Sequence, residues 1–148
     1  MGRLSNSEIK DLIKAGLDIS KNDIVDVVEF EGVRVMRVNG KYAFFSYNDK
    51  WIPTLRRVYE KGLTLKSVYV DVGAIKFVAN GADVMRPGIV KVDDGILKGD
   101  VICVREVSHN KVIALGEALL SSDDMKSAAS GKMIKNIHYV GDKLWNLG

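Results

Sequence analysis

The sequence predicts an α+β protein in two small halves, and three features carry that expectation. Near the start, Ile9, Leu12 and Ile13 form one apolar stripe at helical spacing. From Ile24 to Tyr47, three β-branched and aromatic runs are parted by Glu31-Gly32 and Asn39-Gly40. Beyond residue 67, short strand-like runs recur between turn signals, the pattern of a small barrel or sandwich. A small α/β-meander domain over residues 1–66 is thus expected, then a β-rich domain with short helices over 67–148.

The first helix has a start signal. Ser5 and Glu8 fit a capping box, with Leu4 and Ile9 at the two staple positions, and Gly16 marks its end. Three antiparallel strands follow, and Asn39-Gly40 is the strongest hairpin signal among their turns. Arg34 and Arg37 read as solvated strand charge, with part of a basic binding face as the functional alternative. Trp51-Ile52-Pro53 leads into a second helix, Thr54 to Lys61, expected to bury Leu55, Val58 and Tyr59. Pro53 suits a helix entrance, where a missing N–H costs nothing.

The stretch from Ser67 to Val92 organises the second half. Val68, Tyr69 and Val70 suit a strand, and Asp71 can cap the helix after it. Ile75, Val78 and Ala79 mark the expected buried face of that helix, which Asn80-Gly81 ends. Pro87-Gly88 makes a further turn. Strands are then expected at Val101–Val107 and Lys111–Leu119, the second with a bulge or bend at Gly116. A short helix starts near Ser122, and two terminal strands, 137–140 and 144–147, flank Gly141-Asp142.

The runs Gly73–Val78, Gly81–Met85 and Pro87-Gly88, with Asn136–Tyr139 and Leu144-Trp145, resemble the PUA domain of pseudouridine synthases and archaeosine transglycosylases. Pro53-Thr54-Leu55-Arg56 is similar to a motif of the MCT (malignant T-cell amplified sequence) group, whose small N-terminal domain precedes a PUA domain. The resemblance touches both halves and implies an archaeal-type homologue with a PUA pseudobarrel. It also implies RNA binding in the translation or tRNA/rRNA machinery, at a tRNA acceptor end or the small ribosomal subunit. It places the RNA groove along Lys76, Gly81, Ala82, Met85, Arg86, Pro87, Gly88, Tyr139 and Trp145. Lys76 and Arg86 would neutralise phosphates there, and Tyr139 and Trp145 would stack on unpaired bases. In eukaryotes the group works with density-regulated protein, which makes a similar partner an expectation here. The competing expectation is a protein–protein adaptor with the PUA fold as scaffold, docking its partner through Trp51, Arg56 and Arg57.

Composition narrows the alternatives. Hydrophobic residues at 47% and charged residues at 28% are ordinary globular values. No apolar run is long enough to span a membrane, and the start has no apolar signal core. A single cysteine excludes an internal disulfide, so a cytoplasmic protein is expected. The net charge of +3 sits in the first half: residues 1–66 carry 12 Lys and Arg against 9 Asp and Glu, while residues 67–148 carry 10 of each. Two histidines and one cysteine lack the spacing of a zinc site, and no nucleophile–base pair or phosphate loop is present. No catalytic residue, metal or cofactor is expected. Cys103 reads as a small buried hydrophobe, and His138 as a structural residue.

Overall fold

A computed structural model describes residues 2–148. Contacts divide them into two compact units, one running to Gly62 and taking in Leu147–Gly148, the other spanning Leu63–Asn146.

The first unit is a five-stranded antiparallel sheet with two helices. Its strands β1 (Gly2–Arg3), β2 (Val25–Phe30), β3 (Val33–Val38), β4 (Lys41–Tyr47) and β5 (Lys50–Pro53) pair in chain order. Helix α1 (Asn6–Lys14) starts on the expected capping box: the Ser5 hydroxyl accepts from the Glu8 N–H at 3.1 Å, and Glu8 accepts from the Ser5 N–H at 3.0 Å. All three hairpin turns place their two central residues at positive φ, Glu31-Gly32 at 49° and 82°, Asn39-Gly40 at 52° and 83°, and Asn48-Asp49 at 48° and 60°. That matches the right-handed twist of paired strands, and Asn and Gly tolerate it best. Ile9 of α1 is buried with Val25, Val27, Met36, Val38 and Phe44 of the sheet.

Three sequence expectations change here. Lys50–Pro53 is an edge strand on β4 and not merely a lead into a helix; Pro53 is tolerated because it sits at the strand's end. Helix α2 (Leu55–Lys61), capped by Thr54, buries Leu55 and Val58, but Tyr59 is 46% exposed. Arg37 is not free strand charge. Its guanidinium pairs with Asp26, directly opposite on β2, and both groups are half-buried.

The second unit is the expected pseudobarrel. Strands β6 (Ser67–Val70), β7 (Val84–Met85), β8 (Ile89–Val92), β9 (Val101–Glu106), β10 (Val112–Ala118) and β11 (Lys132–Tyr139) form one sheet in the order β7-β11-β10-β9-β6-β8. The β6–β9 pair is parallel and the other pairs are antiparallel. Helix α3 (Val72–Val78) follows β6, and helix α4 (Ser122–Ser127) precedes β11. Val68, Val70, Ile102, Val104, Met125 and Ile134 share one core. Cys103 is buried, and that burial pushes its thiol up to about 11.

The bulge lies where Gly116 predicts it: the register of β10 against β11 shifts between Leu115 and Gly116. A Cβ at 116 would stand 2.2 Å from Cγ2 of Ile134, so only glycine lets the strands close. The C-terminus departs from expectation. In place of a strand over 144–147 there is a helical turn, α5 (Lys143–Asn146), because the Asp142 carboxylate accepts the Trp145 N–H at 2.8 Å and caps it. Of the expected face of α3, Val78 is buried, Ile75 is half-buried and Ala79 is exposed, because the helix is already ending at that point.

Glu106 closes β9. Its buried carboxylate accepts from the N–H groups of Ser108, His109 and Lys111 at 2.8, 2.8 and 3.1 Å, and from the Ser108 hydroxyl. The Ser108 hydroxyl leads in lowering its pKa, burial opposes, and the N–H groups add to bring it to about 2. A lowered folded-state pKa contributes stability that is present above the unfolded value near 4.5 and lost as pH falls toward 2. Thermal melts between pH 5 and 2.5 should show a steeper acid loss for the parent than for Glu106→Gln; parallel curves would refute the assignment. Gly116→Ala should cost about 1–3 kcal/mol by overpacking, read as a lower denaturation midpoint with an unchanged m-value.

Candidate functional site

The site is built where α3 meets the segment that follows it. Asp71 fixes the start of the helix: its carboxylate accepts the Ala74 N–H at 3.0 Å, and its own N–H donates to the Gly88 carbonyl at 3.0 Å. That second bond brings the short 3₁₀ turn Arg86–Gly88 beside the helix. A Cβ at Gly88 would come 3.1 Å from Cβ of Ala74, so a small residue is needed for this approach. Between the two lies a groove of about 500 Å³.

Asn136 of β11 fixes the far wall. Its side-chain amide donates to the carbonyls of Val78 at 3.0 Å and Ala82 at 3.1 Å, on either side of the turn that ends α3. Its backbone N–H donates to Asp83 at 2.8 Å, and Lys132 pairs with the other oxygen of Asp83 at 2.9 Å. The Lys132 bond comes first in holding the Asp83 carboxyl below the usual range against the opposing pull of burial. Within the turn, Gly81 sits at φ +91°, and an added Cβ would stand 2.9 Å from the Tyr139 ring.

Of the nine residues expected in the groove, Ala82, Met85, Pro87 and Gly88 line it. Lys76, Gly81, Arg86, Tyr139 and Trp145 are not among its lining residues. Lys76 is exposed beside it, its ammonium 5.2 Å from the Phe77 ring centre. Arg86 folds back on its own turn: Nη1 donates to the Ile89 carbonyl at 3.2 Å, and Nε is buried without a hydrogen-bond partner. The close approach at Gly81 is made to Tyr139, which packs against the core. Trp145 is half-buried on α5. Asp142 gathers this end of the chain, accepting from His138 at 2.8 Å and from the Tyr139 N–H at 2.9 Å. Burial pulls the Asp142 carboxyl upward, but the His138 bond and the Trp145 and Tyr139 N–H groups together keep it lowered. His138 is 1% exposed, as a structural residue should be.

Phe77 is the residue that the sequence argument passed over. It lines the groove and is 58% exposed. The available signal was its position off the buried stripe of α3: an apolar side chain there is turned away from the core. Asp71 and Asp83 also line the groove, whose remaining surface is mostly apolar. Such a channel suits a flat, partly apolar group with N–H donors better than a bare phosphate.

The expected partner surface of the first unit is only partly exposed. Trp51 is half-buried, with the Arg34 guanidinium 5.3 Å from its ring centre. Arg56 is half-buried. Arg57, expected at the surface, is 8% exposed, stacks 5.4 Å from the Phe44 ring centre and donates to the Asp18 carbonyl. Its planar, weakly hydrated head accepts burial against an aromatic ring where a lysine would not. Among the described residues, no group of three or more His, Cys, Asp or Glu side chains is placed to hold a metal. No helix among them is long and apolar enough to cross a membrane.

The sheet order, the Asp71-capped helix and the groove beside it define a PUA-domain protein, and residues 66–140 match the PUA domain family. Residues 4–61 match a domain of unknown function, DUF1947. An uncharacterized protein of Methanocaldococcus jannaschii is 44% identical over 128 residues, covering 86% of this chain and 79% of its own. Translation machinery-associated protein 20 of Saccharomyces cerevisiae is 32% identical over 135 residues, 86% of this chain and 75% of its own. Malignant T-cell-amplified sequence 1-B of Xenopus laevis is 32% identical over 132 residues, 86% and 73%. The crystal structure of a hypothetical protein from Pyrococcus horikoshii superposes with a TM-score of 0.84 at 35% identity, covering 98% of this chain and 97% of that one. Within the PUA-domain proteins, the chain belongs to the MCT group in its archaeal form.

Asn136→Ala should take its amide donor from the Ala82 carbonyl and from the Val78 carbonyl, which keeps the Gly81 N–H, and cost about 1–3 kcal/mol. Hydrogen exchange should then quicken at residues 80–85 ahead of the sheet. Uniform quickening across the second unit would show that Asn136 supports the whole fold and not this turn.

Proposed function

We propose that the chain binds structured RNA of the translation or tRNA/rRNA machinery through the groove beside α3, without catalysing a reaction. The observation that carries this reading is the exposed Phe77 ring at a groove of about 500 Å³, with the Lys76 ammonium beside it. An unpaired base stacks on the ring, and its exocyclic N–H groups face the carboxylates of Asp71 and Asp83. The phosphates stay outside, against Lys76, because carboxylates in the wall repel them. An RNA with a free single-stranded end fits this division, a tRNA acceptor end before a segment of small-subunit ribosomal RNA. Family membership and the yeast relative's name, which ties it to the translation machinery, support the same reading.

A second reading, an adaptor for a protein resembling density-regulated protein, is favoured by one feature of the first unit. A cavity of about 430 Å³ there pairs the stacked Arg34 and Trp51 with apolar Leu4, Leu12 and Met36 and with the acidic side chains of Glu8 and Asp11.

Binding to tRNA with and without its terminal unpaired nucleotides separates the two. Phe77→Ala should weaken binding to the intact tRNA by roughly 5- to 150-fold, the range for losing one stacked base, and leave the truncated tRNA unaffected. Lys76→Ala should weaken both RNAs and lower the log–log salt slope by about 0.7. If both variants bind both RNAs as the parent does, the groove is not the RNA site. Trp51→Ala abolishing nuclease-resistant capture of a single protein would then bring the adaptor reading forward.

A further inference from the structure

The first unit holds another cavity, of about 380 Å³, lined by cations from three elements: Arg3 of β1, Lys10 of α1 and Lys21 of the turn beyond α1. None of the three forms an ion pair among the described residues. The amides of Asn6 and Asn22 also line it, and so does Ile24, 54% exposed.

Asp23 is the one carboxylate in this lining, and it is engaged elsewhere. One oxygen accepts the Ser20 N–H at 2.8 Å and the other accepts from the Asn39 amide at 3.0 Å. Asp23 also lines the neighbouring polar cavity together with Arg57 and Lys61, whose charges act on it from that side. The lining therefore carries three cations against one carboxylate, a net positive charge, and none of the three cations is ion-paired among the described residues. Like charges around a concave surface gather counter-ions of the opposite sign. The ligand must be anionic, and the donors supplied by three cations and two amides exceed the needs of a carboxylate. Phosphate oxygens match an arginine fork and lysine ammonium groups. Ile24 offers an apolar ledge for the sugar or base attached to such a phosphate.

We propose that this cavity is a phosphate-ester site, taking either backbone phosphates of an RNA or the phosphate of a free nucleotide through Arg3, Lys10 and Lys21. It lies in the first unit and does not depend on the groove beside α3.

The test uses the full chain as parent, as the double variant Lys10→Gln/Lys21→Gln, and as the charge-retaining double variant Lys10→Arg/Lys21→Arg. All three should melt alike, because both lysines are exposed. The probes are a single-stranded RNA, adenosine monophosphate and inorganic phosphate. Affinity is followed against salt, and amide chemical shifts are followed over residues 3–24. If RNA is the source, the glutamine variant loses about 1.4 from the log–log salt slope, two contacts at roughly 0.7 each, and the arginine variant keeps it. If a free nucleotide is the source, adenosine monophosphate gives saturable shifts over residues 3–24 in the parent and arginine variants only. An unaltered salt slope together with no shift from either small probe overturns the proposal, as does an arginine variant that behaves like the glutamine one. Phe77→Ala measured in parallel reports on the groove alone, so failure of one site is read separately from failure of the other.

Discussion

The geometry of the groove depends on the side chain of Asn136. One amide group reaches from β11 to two carbonyls, of Val78 and Ala82, that bracket the turn ending α3. The backbone N–H of the same residue takes Asp83, which also engages Lys132. The turn closes on itself through the Gly81 N–H to the Val78 carbonyl at 3.0 Å and the Ala82 N–H to the Phe77 carbonyl at 2.9 Å, and Asn136 ties that closed turn to the strand. Because one residue holds both ends, the turn moves with the strand. Tyr139, three residues further along β11, then packs against Gly81 at the tip. The turn's position is thus fixed by a strand more than fifty residues away in sequence, and the groove wall is tied to the sheet.

The same arrangement sorts the chemistry of binding. Two carboxylates in the groove wall are both committed, Asp71 to the helix start and Asp83 to Asn136 and Lys132. They hold the walls in place and make the interior unwelcoming to phosphate. What remains favourable inside is stacking and acceptance of N–H donors, which is how unpaired bases are read. The half of the sequence that holds the groove carries equal numbers of acidic and basic residues, so its general field draws nucleic acid weakly. The excess positive charge lies in the first half. On the proposed reading, the groove of one unit supplies base stacking and the basic cavity of the other supplies charge attraction, and the two are separable by mutation.

Features governed by neighbours in sequence were legible before the structure. The capping box of Ser5 and Glu8, the Asn39-Gly40 hairpin, the Asp71 cap and the bulge at Gly116 all follow from local rules. Two kinds of feature were not: a residue met by distant partners, Arg57, and outcomes that turn on a single nearby hydrogen bond, at Arg86 and Trp145. Arg57 reads as surface charge in a short helix, yet it is buried because Phe44 and Asp18 arrive from other elements. Arg86 reads as a phosphate ligand, yet its side chain turns back to the Ile89 carbonyl. Leu144–Leu147 has the composition of a strand, but the Asp142 carboxylate caps a helical turn there. Of the residues the family resemblance names, Ala82, Met85, Pro87 and Gly88 line the groove. It did not point to Phe77, whose exposure is a matter of helix phase and not of motif.

The two glycines of this region, Gly81 and Gly88, are constrained by distinct physical causes. At Gly81 the constraint is conformational and steric together: φ is +91°, and the Tyr139 ring occupies the space a Cβ would need. At Gly88 the backbone is unremarkable, and the constraint is contact with Ala74 alone. A larger side chain at 81 strains the backbone and displaces an aromatic that belongs to the core, so it acts on the fold before it acts on any ligand. A larger one at 88 presses on α3 and shifts the helix that carries Phe77 and Lys76. Substitution at Gly88 is therefore a positional effect on the groove, whereas substitution at Gly81 is inseparable from the packing of β11.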